Sequence, residues 1–255
     1  MSDQSQNAPI IAAFDAAADS YDAASNVQRD IARQLVARAA QSLVAPPKTI
    51  LDLGSGAGHV TGAALKLWPE AEIMALDAAP AMLAALRAKY PGVKTLRRDA
   101  AATGDIGRYD LILSSMMLHW LPDPRAALTQ WREKLNPGGH LHVAVPVEGS
   151  LAEWREFLRA AGLADGLWTF PPPGLGRDIA ANAETIAFAA SYPDARAFLQ
   201  SLKRTGAHRA RAGYRPTSPA ALRRLLAARQ GEFTATFQIL FLTVEASMTA
   251  PAFRP

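Results

Sequence analysis

The chain has 255 residues, of which 49% are hydrophobic and 20% charged, with a net charge of +4. This length fits one large α/β domain or a domain with an insertion. No apolar run approaches the roughly 20 residues that span a bilayer, and we expect no secretory signal. Cysteine is absent, which excludes disulfides, thiolate zinc sites and cysteine nucleophiles. Five scattered histidines lack the spacing of metal ligands, so we expect a cytoplasmic protein that binds no metal and enters no membrane.

The first half of the chain predicts alternating strands and helices. Residues 1–9 are polar and are expected to be disordered, and the spacing of Ile31, Leu35 and Val36 predicts helices over residues 10–44. The predicted strands are residues 49–53, 72–76, 93–97, 109–114 and 140–145, and the helices between them end near residues 67, 89 and 135. Such alternation predicts a parallel sheet with helices on both faces. A ligand would then lie at the carboxyl ends of the strands.

The alternation stops after Val145. Residues 148–215 contain helical stretches and a Pro/Gly-rich loop, and a connection of this length is better explained as an inserted cap. A helix is predicted over residues 219–229, and the β-branched and aromatic residues of 232–246 predict a closing strand or hairpin. The chain thus divides into N-terminal helices (1–44), a core (45–147), the cap (148–215) and a C-terminal helix with closing strands (216–255).

A glycine-rich loop follows the first predicted strand. The strand ends in Asp52 and leads into Gly54, Gly56 and Gly58, and Asp77 ends the second strand. Glycines let the backbone turn sharply and approach a ligand, and an acidic residue about 20 positions later can accept hydrogen bonds from ribose hydroxyls. The spacing is G-x-G-x-G rather than the dinucleotide pattern G-x-G-x-x-G, and no basic residue lies in the loop. The pattern therefore predicts a nucleotide-type cofactor other than a dinucleotide.

This loop resembles motif I of the S-adenosylmethionine-dependent methyltransferases. The resemblance implies a Rossmann-like class I methyltransferase fold: a mostly parallel seven-stranded sheet with helices on both faces and an inserted helical cap. It also implies S-adenosylmethionine as the cofactor and S-adenosylhomocysteine as its product. The glycine loop would pass under the methionine and ribose portions, Asp77 would bind the ribose hydroxyls, and Asp52 would hold either the loop or the cofactor's amino group.

The same resemblance assigns further residues to the cofactor site. Ser55 lies within the loop, where many relatives carry cysteine. The remaining cofactor residues are Ala78 and Met82 against the adenine, Asp99 with Ala100 at the adenine amino group, and the backbone carbonyls of Ser114 and Ser115 at the ammonium.

Shorter segments are similar to a narrower family, the malonyl-acyl carrier protein O-methyltransferases of biotin synthesis. They are FDAAADSYDAASNVQRD at 14–30, SSMMLHW at 114–120, EGSL at 148–151, SLKRTGA at 201–207 and FTATF at 233–237. The resemblance implies methyl transfer to the free carboxylate of a malonyl thioester on acyl carrier protein. That carboxylate is already ionised at neutral pH, so alignment and desolvation suffice and no strong base is required.

Several residues are candidates for contact with the acceptor carboxylate: Tyr21, His119, Lys203 and Arg204. Tyr21 would belong to an N-terminal lid or, alternatively, pack in the core. His119 and Trp120 would line the pocket or form a turn against the next helix. Some relatives carry glutamine in place of His119, so its role in the chemistry stays open.

Residues 195–231 contain nine Lys or Arg and no Asp or Glu, and the rest of the chain is net acidic. A basic surface favours an acidic partner, and acyl carrier protein is acidic, so Arg223 and Arg224 are predicted docking residues on a monomer or weak dimer. A solvated arginine-rich helix face is the alternative explanation.

Three other functions compete with this hypothesis. One is methylation of a small free carboxylic acid, as in the aconitate methyltransferases, which share the LHWLPD-like turn. Another is an assembly factor of the same fold that acts on a protein partner. Nucleic-acid methylation is disfavoured because aromatic residues are sparse among the arginines and no N/D-P-P-[YF] tetrapeptide follows the fourth strand.

Overall fold

The computed structural model describes residues 4–211, 213–214, 218–229 and 231–246. Its centre is one seven-stranded sheet with the strand order β3-β2-β1-β4-β5-β7-β6. The strands are β1 (Thr49–Leu53), β2 (Glu72–Asp77), β3 (Lys94–Arg97), β4 (Tyr109–Ser115), β5 (Leu135–Pro146), β6 (Asn182–Tyr192) and β7 (Phe233–Glu245). The first five strands pair in parallel, and β7 runs antiparallel to both β5 and β6. The predicted Rossmann-like, mostly parallel sheet is confirmed.

Helices cover both faces of this sheet. They are α1 (Gln4–Ala24), α2 (Asn26–Ser42), α3 (His59–Leu67), α4 (Pro80–Lys89), α5 (Pro124–Arg132), α6 (Ala152–Ala160), α7 (Ala195–Arg204) and α8 (Pro219–Ala228). Alternate residues of β4 face opposite sides, so Leu111 and Leu113 join one hydrophobic core and Ile112 joins the other. In the part of the chain described, no helix is long and apolar enough to cross a membrane.

The N-terminal segment is more ordered than the sequence indicates. Residues 4–9 form the first turns of α1, so the prediction of disorder was wrong for them, while residues 1–3 lie outside the described residues. Asn7 and Ile10 are buried, and the Asn7 amide donates a hydrogen bond of 3.5 Å to Asp99 Oδ2. The polar composition gave no sign of this tertiary contact.

Strand β5 begins earlier than the predicted strand over residues 140–145. The Asn-Pro-Gly-Gly segment that precedes residue 140 lies within β5. The pairing shifts there: Tyr109 pairs with Leu135 whereas Leu111 pairs with His140. The segment is therefore an extended bulge that β5 accommodates, and Gly138 adopts a positive φ of 72°.

Strand β6 was not predicted, because the whole of residues 148–215 was expected to form the cap. It lies at the edge of the sheet with an exposed or half-exposed burial pattern, and its four alanines carry little strand propensity. The long partner strand β7 pairs with all eleven of its residues. The expected cap segment thus contributes a strand to the sheet, while the four-part division of the chain stays a prediction.

Candidate functional site

A pocket with about 720 Å3 of empty space, part of it open to solvent, lies at the carboxyl ends of β1, β2 and β4, the edge where a parallel sheet binds its ligands. The glycine loop, the β2–α4 connection, the end of β3 and the end of β4 form its floor. Helix α1 covers it with Asn7, Ile10, Ile11, Phe14 and Tyr21. We call this space the cofactor chamber.

Asp77 lies in this chamber, as predicted from the glycine pattern. Its Oδ2 accepts a hydrogen bond of 2.8 Å from the Gly56 amide, and its Oδ1 accepts one of 2.8 Å from the Ala79 amide. Desolvation raises the pKa of this carboxyl group, and the backbone hydrogen bonds oppose that rise. Each carboxylate oxygen keeps a second lone pair, so Asp77 holds the loop and can still accept from a ligand.

The three loop glycines have different surroundings. Gly56 faces open space, since an added Cβ would meet no atom within 4 Å, whereas a Cβ on Gly54 would lie 2.3 Å from Met117 Cγ. Both line the cofactor chamber. Gly58 does not: it precedes α3 with a φ of 93° and packs against Leu86 and Tyr90. Gly58 thus serves the backbone turn and helix packing, and its predicted place under the cofactor stays a prediction.

Asp52 is buried at the end of β1 and does not line the chamber. Its Oδ2 accepts a 2.6 Å hydrogen bond from the Thr61 hydroxyl on α3, whereas its Oδ1 is buried without a partner. Burial raises the pKa of Asp52 to about 7. Asp52 therefore bonds α3 behind the glycine loop. Its two predicted roles, holding the loop or the cofactor's amino group, stay predictions. Ser55 is also buried and does not line the chamber, and its hydroxyl has no hydrogen-bond partner.

The adenine-side candidates lie together on one wall. Ala78, Met82, Asp99 and Ala100 all line the cofactor chamber. Asp99 Oδ1 accepts from the Ala101 amide at 2.9 Å, which caps a short 3-10 helix over Ala100–Ala102. Asp99 Oδ2 faces Asn7 and has capacity for a further donor.

The two serine candidates at the end of β4 have different surroundings. Ser115 lines the chamber and its buried hydroxyl has no partner. Ser114 is fully buried, and its hydroxyl donates a 3.0 Å hydrogen bond to the Leu53 carbonyl, so its side chain joins β4 to β1 and does not line the chamber. The next residue, Met116, has a φ of 57°, and a non-glycine residue in that region is typical of functional sites.

A second pocket, with about 580 Å3 of empty space that is also partly open to solvent, adjoins the first and shares Phe14, Tyr21, Met116 and Trp120 with it. We call it the acceptor chamber. Its remaining walls come from α2, a short 3-10 helix over Leu118–Trp120, the 167–170 loop, α7 and β7. No Lys, Arg, Asp or Glu is among the described residues that line it. The acceptor chamber is therefore uncharged and largely aromatic.

Tyr21 lies at the junction of the two chambers and is half-buried. Desolvation, with Asp77 and Asp22 nearby, raises the pKa of its hydroxyl well above its usual range. The hydroxyl stays protonated and can donate a hydrogen bond. This position fits the predicted lid residue better than a core residue.

His119 and Trp120 both line the acceptor chamber. Burial lowers the pKa of His119 to about 3, so the ring is neutral at physiological pH, and its Nδ1 is buried without a partner. The Trp168 indole donates a 2.8 Å hydrogen bond to the His119 carbonyl. His119 can therefore offer one hydrogen bond to an acceptor, but no positive charge.

The predicted basic contacts lie outside the acceptor chamber. Lys203 and Arg204 are exposed at the end of α7, next to the chamber residues Leu202 and Thr205. Neither residue lines the chamber, so their predicted contact with the acceptor carboxylate stays a prediction. Arg223 and Arg224 are exposed on α8, and Arg215 of the basic stretch lies outside the described residues.

Sequence reasoning assigned no role to several side chains that the structure brings to the chambers: Asn7, Ile10, Phe14, Met116, Met117, Trp168 and Phe170. Trp168 and Phe170 precede a Pro/Gly-rich loop, and aromatic residues beside such a loop were the one available signal for a binding wall. In the described part of the chain, no group of three or more His, Asp or Glu could hold a metal.

Comparison with known proteins identifies the class. A family model described as a methyltransferase domain matches residues 23–229. The structure of the plantazolicin methyltransferase BpumL in complex with SAH has a TM-score of 0.53 at 12% identity, covering 86% of this chain and 84% of that one. That likeness concerns the fold alone. The chain belongs to the class I S-adenosylmethionine-dependent methyltransferases.

Three curated relatives narrow the comparison. The biotin biosynthesis bifunctional protein BioCD of Bordetella avium is 35% identical over 221 residues, 84% of this chain and 47% of that protein. The malonyl-[acyl-carrier protein] O-methyltransferase of Laribacter hongkongensis is 31% identical, over 80% of this chain and 75% of its own. The trans-aconitate 2-methyltransferase of Methylobacterium radiotolerans is 38% identical over 48% of this chain and 46% of its own. The chain spans about half the length of the first and third.

Proposed function

We propose that this protein transfers the methyl group of S-adenosylmethionine to the free carboxylate of a malonyl thioester on acyl carrier protein, a step of biotin synthesis in the cytoplasm. The observation that carries the proposal is the uncharged acceptor chamber beside the cofactor chamber. Relatives named for this reaction support it.

The residues around the cofactor chamber fit the cofactor. Asp77 accepts from the ribose hydroxyls, Asp99 from the adenine amino group, and Ala78 and Met82 contact the adenine ring. Gly56 leaves open space above the backbone. The Ser115 hydroxyl, buried and unpartnered, faces the methionine portion. Polar atoms that are buried without partners are costly, and a bound ligand can satisfy them.

The acceptor chamber favours a substrate with one carboxylate. When bound, the cofactor supplies an electrophilic methyl group on a positively charged sulfur, which also provides the counter-charge for that carboxylate. The aromatic walls exclude water from the carboxylate, and desolvation strengthens such a nucleophile. The neutral thioester portion contacts Trp168, Phe170 and Met116. Uncharged hydrogen-bond donors are then sufficient to align the carboxylate with the methyl group.

Tyr21 and His119 are the donors available for this alignment. Tyr21 reaches both chambers, and a protonated phenol donates one hydrogen bond to a carboxylate oxygen. The Nδ1 of His119 has no protein partner and, in the tautomer that carries its proton there, donates a second. Neither residue removes a proton, because the acceptor is already ionised.

The exposed Lys and Arg side chains would bind the carrier protein and not its acyl group. Lys203 and Arg204 border the chamber through their neighbours Leu202 and Thr205, and Arg223 and Arg224 add exposed charge on α8. Surface charges of this kind raise association rates with an oppositely charged partner. An acidic carrier would dock against these charges. A monomeric or weakly dimeric state stays a prediction.

Trans-aconitate is the second candidate acceptor, because a trans-aconitate methyltransferase matches almost half of the chain. Aconitate carries three carboxylates. Two of them would be buried in the acceptor chamber without a cation, and an unpaired buried charge is strongly unfavourable. The chamber therefore favours the malonyl thioester.

The test is transfer of radiolabelled methyl from S-adenosylmethionine to malonyl-acyl carrier protein, with malonyl-CoA, free malonate and trans-aconitate in parallel. The Asp77→Ala variant serves as the inactive control. Base-labile label on the carrier protein is the expected result. Label on a free acid alone would move the function to small-molecule methylation. Retained cofactor binding with no label on any acceptor would leave the assembly factor as the better explanation.

A further inference from the structure

One buried serine lies in the single-residue break between α1 and α2. Ser25 is fully buried and precedes α2, where serine commonly caps a helix through its hydroxyl. Its hydroxyl makes no cap hydrogen bond. Instead Ser25 Oγ lies 2.7 Å from His59 Nε2, 34 positions away in the chain. Because this hydroxyl bonds a residue distant in sequence and does not cap its own helix, it contributes to tertiary structure.

His59 connects this break to the cofactor loop. It is the first residue of α3, directly after Gly58, and its ring stacks on Tyr21 with centroids 5.6 Å apart and planes at 29°. Burial lowers the pKa of His59 to about 4, so the ring is neutral and hydrogen-bonds Ser25 as an uncharged group. His59 therefore contacts both the break between the helices and the aromatic ring that faces the two chambers.

A second contact joins the same end of α1 to the glycine loop. Lys89, at the end of α4, donates a 2.8 Å hydrogen bond to the Ala57 carbonyl and forms an ion pair with Asp22. Asp22 follows Tyr21 directly. Two independent sets of contacts thus fix the position of this part of α1 relative to the loop under the cofactor.

We propose that His59 is a positioning residue that, together with Ser25, holds Tyr21 at the junction of the cofactor and acceptor chambers. The proposal rests on the proposed function only for what Tyr21 contacts there. Without His59 the Tyr21 ring loses its stacking partner, and the contact between Lys89 and Asp22 holds the helix end but not the orientation of that ring. His59 touches neither ligand, because it lines neither chamber.

The test is a double-mutant cycle on S-adenosylhomocysteine binding, measured by calorimetry. His59→Ala and Tyr21→Ala should each weaken binding by about tenfold, and the double variant should bind no more weakly than Tyr21→Ala alone, since His59 acts through Tyr21. The proposal is wrong if the two losses of affinity multiply in the double variant, or if His59→Ala binds S-adenosylhomocysteine as tightly as the wild type. The measurement needs no acceptor, so it remains decisive if malonyl-acyl carrier protein proves not to be the substrate.

The chain contains a second serine–histidine pair that serves as a control. Ser42, at the other end of α2, is exposed and bonds the Ala39 carbonyl, but its Oγ also lies 3.0 Å from Nε2 of the buried His142, which lines neither chamber. Ser25→Ala should weaken binding and speed amide exchange in α1, Ser25→Thr should restore both, and Ser42→Ala should change neither. Equal effects of Ser25→Ala and Ser42→Ala would reduce the role of Ser25 to general stability and contradict the proposal.

Discussion

The two chambers share a wall but are built in different ways. The floor of the cofactor chamber lies at the ends of adjacent parallel strands, which place the carboxylates of Asp77 and Asp99 among its otherwise mostly apolar lining residues. The acceptor chamber is made from side chains of seven separated stretches of the chain and contains no charged residue among those described. A ligand with many fixed polar groups needs the first kind of site. A ligand whose reactive group must be desolvated needs the second.

This difference has consequences for substitution. In the cofactor chamber, Asp77 hydrogen-bonds two backbone amides and faces the ligand, so one change removes several interactions. In the acceptor chamber the aromatic walls each contribute contact area, so single changes should have graded effects. If the chambers are separate sites, a substitution in one should leave the ligand of the other unaffected.

The largest expected effect is that of Asp77→Ala. It removes the ribose acceptor and leaves the Gly56 and Ala79 amides without their partner, so we expect cofactor affinity to fall by more than about 100-fold, or roughly 3 kcal/mol. Calorimetric titration with S-adenosylhomocysteine measures this loss, and circular dichroism checks that the variant is folded. Binding that survives in a folded variant would remove Asp77 from the ribose site.

Trp168→Ala should act on the other chamber alone. It removes an aromatic wall and the indole donor to the His119 carbonyl, and truncation of such a contact costs about 2 kcal/mol. We expect kcat/KM for the acceptor to fall about 30-fold, with the affinity for S-adenosylhomocysteine unchanged. Trp168→Phe, which keeps a ring but no donor, should lose less. Equal loss of cofactor affinity in Trp168→Ala would mean that the two chambers are one energetic unit.

The same contrast explains how far the sequence could predict this protein. Gly54, Gly56 and Asp77 follow from local backbone requirements that leave a short, ordered pattern, and the strands around them have clear hydrophobic runs. The acceptor chamber has no such pattern, because Phe14, Trp168 and Phe237 come together only through the tertiary fold. Strand β6 escaped prediction for a related reason: its partner β7, and not its own composition, makes it a strand.

A pH experiment tests the burial of the acceptor chamber. The pKa of His119 is lowered to about 3 in the folded protein from about 6.5 in the unfolded chain. A lowered pKa means that the unfolded state binds the proton more tightly. The stability from neutral His119 is therefore present above pH 6.5 and is lost as the pH falls towards 3. His119 alone should lower the free energy of unfolding by about 2 kcal/mol when the pH falls from 7 to 5.

His119→Gln measures that contribution, since glutamine does not titrate. Urea unfolding at pH 7 and pH 5 should show a smaller drop in unfolding free energy for the variant than for the wild type, by about 2 kcal/mol. His59 and His142 add acid sensitivity of the same sign, because burial lowers the pKa of each to about 4. Identical pH dependence of variant and wild type would show that His119 is hydrated, and that the acceptor chamber is open to water.

The smallest expected effect concerns the surface outside both chambers. Reversing the charge of Arg223 and Arg224 on α8 removes attraction for an acidic carrier and adds repulsion, each exposed charge contributing at most about 1 kcal/mol. We expect KM for malonyl-acyl carrier protein to rise about fivefold at low salt and the difference to shrink in high salt, because screening weakens exposed charges. KM for malonyl-CoA should not rise, since the aromatic walls and the cofactor chamber are untouched. If both substrates respond alike, the arginines do not recognise the carrier, and α8 is simply a solvated basic helix.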